Sequence, residues 1–251
     1  MDSKILAASP GDAAAPPPPR RGRRRPVVDH LLLRPLSARP GRTMQDAVYD
    51  QLRDALMIGA FRPGEALSTR ALAESLGTST MPVKDALRRL AAEGVVLAQP
   101  QSGFVIATLG ATRFLDIIEA RVRLETLVAA RAAARRDDAL VERLRDLNDD
   151  YRAASAADLA RGTLLKTNFD FHFAIYGASG MLDVCEIILA AWLRIGPLFS
   201  LIEAELDQQE DFARHARIID GLATGNGDQA AAALEADIRG SAARIAPLLP
   251  A

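Results

Sequence analysis

Two of the three histidines in this 251-residue chain fall on helix faces that otherwise read as buried. His172 shares its face with Phe169, Phe173 and Tyr176, and His215 leads Ile218, Ile219 and Leu222. A lone histidine on an apolar face is most often a core side chain with its ring nitrogens hydrogen-bonded. Here other polar groups keep it company. Asn168 precedes His172 by four residues, so both project from one side of one helix. Asp237 lies between Leu234 and Ile238 on a third apolar stripe. Arg121 is embedded in a stripe formed by Phe114, Ile117, Ile118, Leu124 and Val128. A desolvated guanidinium needs an anionic partner. Glu125, one turn on, supplies it from within the chain; a carboxylate ligand held bidentately supplies it from outside.

These residues must be positioned by helices. From about residue 109 the apolar spacing predicts six: Thr112–Arg136, Asp138–Ala156, Asp158–Ala178, Met181–Ile202, Asp207–Thr224 and Gly227–Leu249. Breaks fall at Arg136-Asp137, Ala157-Asp158, Gly177–Gly180, near Ala204 and at Gly225–Gly227. Helices of this length with short links make an antiparallel bundle. Pro197 should kink or shorten the fourth.

The first half reads differently. Met44–Gly59 carries one apolar stripe of Ala47, Val48, Leu52, Ala55 and Leu56, and Pro63-Gly64 turns the chain. Two short amphipathic helices follow around a Gly-Thr-Ser turn, the second repeating Val83, Ala86, Leu87 and Leu90. Gly77 suits the left-handed end of the first. Ser79 is placed to cap the second, Asp85 to suit its dipole, and Pro82 lies in its first turn. Gly94 closes that helix, Val95–Leu97 reads as a strand, Pro100–Gly103 as a turn and Phe104–Ile106 as the return strand. The layout is a winged helix-turn-helix, which offers the N-terminal end of its second helix to a DNA major groove. The fold class is therefore mainly α: a winged domain followed by an antiparallel helical bundle.

The run FRPGEALS (Phe61–Ser68), the segment LAESLGTSTMPVKDALRRLAAEGVV (Leu72–Val96) and the wing SGFV (Ser102–Val105) resemble the DNA-binding domain of GntR transcriptional regulators. By that resemblance Arg70, Ser79, Thr80, Lys84 and wing Gly103 match positions that contact DNA. The family often has Arg where this chain has Thr80, and usually Arg where it has Lys84. Lysine lacks the bidentate fork to guanine, so the operator need not be the family's common one.

The second half resembles the FCD domain of the FadR-like branch, through Glu119–Ala134, Asn168–Gly180 and His215–Ile238. That resemblance implies an effector-binding and dimerising bundle. An Arg on the first helix, matched by Arg121, would meet the effector, a small organic acid. Four core positions, matched by Asn168, His172, His215 and Asp237, would hold a divalent metal. The family usually has Asp and three His there. This chain has Asn at the first and Asp at the last, which preserves the total ligand charge. Imidazole and carboxylate from three helices suit Zn, Ni or Mn.

Residues 1–42 are rich in Ala, Pro and Arg and read as a disordered tail, 43–108 as the DNA-binding domain and 109–251 as the effector-binding and dimerisation domain. Arg20, Arg21, Arg23, Arg24 and Arg25 either lie on phosphate or are simply solvated. A net charge of −1 means that DNA affinity needs cations clustered on one face and two copies acting together. One cysteine excludes an internal disulfide framework and fits a reducing cytoplasm. No apolar run approaches a membrane span on this reading, so the chain is expected to be soluble.

The leading expectation is a ligand-responsive transcription factor that binds operator DNA as a homodimer. A metal-dependent hydrolase or lyase built on the bundle is the alternative, and a nucleic-acid-binding structural protein a third. No catalytic residue is assigned: the sequence has no GxGxxG, P-loop or nucleophile elbow, and no further general base is visible.

Overall fold

The computed structural model describes residues 33, 35, 36, 41, 43–99, 103–156, 161–202 and 208–250. Nearly all of the tail 1–42, the wing turn at 100–102 and the breaks at 157–158 and near 204 lie outside the described residues.

The winged domain comprises α1 (Met44–Met57), β1 (Ala66–Leu67), α2 (Thr69–Ser75), α3 (Thr80–Ala92), β2 (Val96–Gln99) and β3 (Gly103–Ile106). Thr43 opens α1 by accepting from the Asp46 N–H, and Ser68 does the same for α2 through Ala71. Ser79 occupies the N-cap of α3 but makes no side-chain capping bond, and Asp85 lies beyond the first turn, where it pairs with Arg88 instead. Both capping expectations for α3 are therefore corrected. The short β1 was not legible. It pairs antiparallel with β3, which pairs with β2, giving the order β1-β3-β2. Leu33 packs into this domain's core, and the Leu36 N–H donates to the Leu76 carbonyl at the end of α2.

The bundle comprises α4 (Ala111–Arg135), α5 (Asp138–Ala156), α6 (Arg161–Ala178), α7 (Leu182–Ile195), α8 (Gln208–Ala223) and α9 (Gly227–Ile245). Pro197 acts as expected: α7 stops at Ile195 and the chain tightens into a 3-10 turn over Gly196–Leu201. α9 packs between α4 and α8, and α5 packs on α6 and α8. Leu182–Leu201 corrects the expectation about apolar runs. It is 20 residues long with a mean hydropathy of 1.7, enough by length and composition to span a membrane, and half of it is buried inside the protein. The burial explains the composition. Ile188, Trp192 and Ile195 enter the bundle core while Leu193 enters the core of the winged domain.

That double burial joins the two halves. A Cβ at Gly196 would stand 2.4 Å from the Leu56 carbonyl oxygen and 2.7 Å from the Met57 Cα, so only glycine lets the 3-10 turn lie on α1. The Arg194 Nε–H reaches the Glu93 carbonyl at the end of α3, at 3.4 Å.

Candidate metal centre and DNA-facing helix

His172 on α6, His215 on α8 and Asp237 on α9 are all buried, and one ligand atom from each lies within 4.8 Å of the others. Their hydrogen bonds fix what each can offer. The His215 Nδ1 is 3.2 Å from the Asn148 Oδ1, an atom that can only accept, so Nδ1 carries the proton. Its Nε2 then presents a lone pair that is buried and has no partner. The ring stacks on Phe171 at 4.1 Å, and burial pushes its pKa down from 6.5 to about 3, so it stays neutral. Asp237 lies 3.3 Å from the His172 Nε2. Burial works against the Asp237 charge, but the hydrogen bond from His172 prevails and takes the carboxyl down to about 2.

A second layer of contacts sets the His172 ring. The Tyr176 hydroxyl donates to the Glu125 Oε2 at 2.5 Å, and its oxygen lies 3.3 Å from the His172 Nδ1. The Nε2 is thereby directed at Asp237. Glu125 also accepts from the Trp192 Nε1 at 3.1 Å, and from the Arg121 Nε and Nη2 at 2.5 and 3.0 Å. The Arg121 guanidinium lies 4.4 Å from the centre of the Trp192 ring. Burial opposes the Arg121 charge, and Glu125 beside it more than offsets that, holding the pKa above its ordinary value. Of the two anions open to Arg121 in the sequence, the structure supplies Glu125 and occupies both its oxygens.

The orphaned His215 lone pair is the test of whether a metal fits. A buried acceptor with no donor is costly, and a cation beside an ionised carboxylate is its natural complement. Two imidazoles and one carboxylate match the donor set of a divalent ion, with outer partners that orient the ligands. Asn168 lies one turn before His172 on α6 and is half-buried. An amide that touches the cluster is Asn148, which sequence reasoning missed. Its signal was position: Leu144, Asn148 and Tyr151 fall on one buried stripe of α5.

The exposed face of α3 is built the opposite way. Val83, Ala86, Leu87 and Leu90 anchor α3 in the core, which leaves Thr80, Met81, Lys84 and Arg88 exposed, with Ser79 just ahead of them. Arg70 is exposed at the start of α2, and Gly103, with φ of 121°, begins the returning wing strand. Met81, at 61% exposure, was also missed; it falls off the apolar stripe, where a large apolar side chain has no core to fill.

The comparisons with known proteins agree with this architecture. Residues 44–106 match the bacterial regulatory proteins of the gntR family, and residues 116–240 match the FCD domain. The chain is similar to the HTH-type transcriptional regulator McbR of Escherichia coli, 33% identical over 62% of this chain and 71% of that protein. It is 29% identical to the regulator LutR of Bacillus subtilis, over 72% of this chain and 91% of that one. Among solved structures, E. coli McbR/YncC superposes with a TM-score of 0.78 at 25% identity, covering 82% of this chain and 99% of that one. A GntR regulator from Rhodococcus, at 22% identity and a TM-score of 0.66, shares the fold. The chain belongs to the GntR family of bacterial regulatory proteins and carries an FCD domain. It is a transcriptional regulator and not an enzyme, and the hydrolase or lyase alternative has no support in these relatives.

Proposed function

We propose that this protein is a cytoplasmic homodimeric regulator that reads operator DNA through α3 and responds to a small organic acid in its helical domain. Residues 43–108 form the DNA-binding part and 109–251 the effector-binding and dimerising part, with the basic tail 1–42 ahead of them. Arg70, Ser79, Thr80 and Lys84 contact the duplex together with wing Gly103. Two copies related by a two-fold axis meet two half-sites. His172, His215 and Asp237, with Asn168 as a fourth oxygen donor, hold a divalent ion, Zn, Ni or Mn, which supplies positive charge for an acidic ligand. Arg121 stays locked on Glu125 in this reading unless the ligand displaces that carboxylate. A ligand alters DNA binding only by binding the DNA-competent and incompetent arrangements with different affinity.

The observation that carries the reading is the exposed polar face at the start of α3, held outward by a buried apolar one. The test is fluorescence anisotropy on an operator recovered by pull-down of genomic fragments. Lys84→Ala should weaken binding about tenfold and take roughly one unit off the log–log salt slope. The melting temperature should hold, because the side chain is exposed. Unchanged affinity at moderate salt would remove α3 as the reading helix.

A further inference from the structure

Positive charge is concentrated outside the winged domain. Over residues 43–108 six Lys and Arg face seven Asp and Glu, whereas over 1–42 nine Lys and Arg stand against three Asp. The domain that must approach a polyanion is thus itself slightly acidic, and several of its cations are already engaged. Arg53 pairs with Asp50, Arg88 with Asp85 and Arg89 with Asp46. Five of the tail cations crowd into one short run: Arg20, Arg21, Arg23, Arg24 and Arg25.

The structure fixes where that charge is tethered. Leu33 is buried in the core of the winged domain, beside Ala71, Glu74 and Ser75 of α2. Leu36 packs on the same core, and its N–H donates to the Leu76 carbonyl at 3.1 Å. Leu76 is the C-cap of α2, where a helix leaves carbonyls without internal partners. Between the two leucines, Pro35 lies 3.7 Å from where a Cβ on Gly77 would stand. Gly77 begins the turn from α2 to α3, two residues before the Ser79 N-cap. An apolar side chain, a backbone hydrogen bond and a turn contact therefore hold the end of the tail at the helix-turn-helix corner, beside the N-terminal end of α3.

Arg25 precedes Leu33 by eight residues and Arg20 precedes it by thirteen. At an extended reach of roughly 3.6 Å per residue, Arg25 stays within about 29 Å of the anchor and Arg20 within about 47 Å. Duplex DNA advances about 34 Å per turn and carries a negative charge for about every 1.7 Å of axis. With α3 in a groove, the cluster cannot leave the neighbourhood of a dense row of phosphates.

We propose that the Arg20–Arg25 cluster is a second DNA contact: an arm, anchored at the helix-turn-helix corner, that lies on phosphates of the duplex within about a turn and a half of the half-site read by α3. This rests on the operator-binding reading above and goes further, in giving the basic tail a partner and a task. Phosphate contacts carry no sequence information, so the arm adds affinity and leaves base readout to α3.

The experiment is anisotropy titration of full-length protein on an operator duplex and on a scrambled duplex of equal length, at several salt concentrations. Changing Arg20, Arg21, Arg23, Arg24 and Arg25 together to Gln should weaken binding to both duplexes at least tenfold and take at least about three units off the log–log salt slope. The ratio of the two affinities should stay within about threefold. A second variant keeps every charge and lengthens the tether by a Gly/Ser linker of about twenty residues between Pro26 and Val27. Effective concentration falls roughly as the −3/2 power of tether length, so its affinity should drop about fivefold. If the glutamine variant matches wild type in affinity and slope, the arm does not touch DNA, and the α3 reading survives without it. If that variant binds more tightly than wild type, the tail lies on the chain's own carboxylates. If the linker variant matches wild type, the anchor does not position the arm. If wild type binds neither duplex, the arm and the operator reading fall together.

Discussion

The two halves of this protein treat their polar residues in opposite ways. The winged domain keeps Arg70, Thr80, Lys84 and Arg88 exposed, and its ion pairs, such as Arg88–Asp85, lie in water. The bundle buries Arg121, Glu125, His172, Asn148, His215, Asp211, Arg214 and Asp237. A surface that must meet the phosphates of many DNA sequences gains from solvated, adjustable charges. A site that must distinguish one small ligand gains from charges fixed in place where water does not screen them. What the contrast teaches is where to look for function. In the winged domain it lies in what is exposed, and in the bundle in what is buried without a partner.

The sharpest way to break the comparison is to remove one anion from each half. Glu125→Ala leaves Arg121 charged in the core, with Trp192 and Tyr176 also losing their acceptor. The expected loss of stability is about 3–5 kcal/mol, the usual penalty for orphaning a buried charge. Asp85→Ala removes a pair whose side chains are 67% and 38% exposed, and should change stability by less than about 1 kcal/mol. Urea unfolding of both variants decides it, and similar losses would mean that the buried pair is no more tightly held than the exposed one.

Acid sharpens the same comparison with a smaller effect. Below about pH 6.5 the unfolded His215 takes up a proton that the folded, buried ring refuses until about pH 3. The unfolded state therefore binds more protons across that window, and stability must fall as pH falls. In metal-free protein the loss should be roughly 2 kcal/mol between pH 6.5 and 5. The slope should flatten in His215→Gln, and the double variant His172→Ala, His215→Ala should retain no stoichiometric zinc by elemental analysis. A chelated wild type with no slope between those pH values would show that the ring is not held neutral by burial. Asp237, depressed to about 2 from 3.8, adds a further loss only below about pH 4, as its carboxylate is forced to protonate.

Much of this architecture was legible because it rests on period and punctuation. The six bundle helices appear where apolar spacing put them, with left-handed glycines at Gly180 and Gly225 closing α6 and α8. Gly77 and Gly94 do the same for α2 and α3. His172, His215 and Asp237 each stood out as a polar residue inside an apolar stripe, and the resemblance to the FCD domain is what grouped them. What was not legible depends on contacts between elements. A two-residue strand such as β1 has no period to detect. Asn148 became visible as the partner of His215 only once α5 was laid against α8.

The finest test concerns the seam between the halves. Within five residues α7 and the turn after it touch both: Trp192 holds Glu125 in the bundle, Leu193 enters the winged core, Arg194 reaches the Glu93 carbonyl, and Gly196 lies on α1. A change at the buried cluster that shifts Trp192 must therefore be felt at α1 and at the end of α3. Gly196→Ala forces a methyl against the Leu56 and Met57 backbone, and since neither backbone can rotate away, the seam has to open. The expected cost is about 1 kcal/mol or somewhat more in stability. The ratio of operator affinities in zinc-loaded and chelated protein should change by roughly 0.5–2 kcal/mol. Gly177→Ala is the control, because a Cβ there meets nothing within 4 Å. If Gly196→Ala leaves that affinity ratio where Gly177→Ala leaves it, the two halves communicate by some route other than this seam.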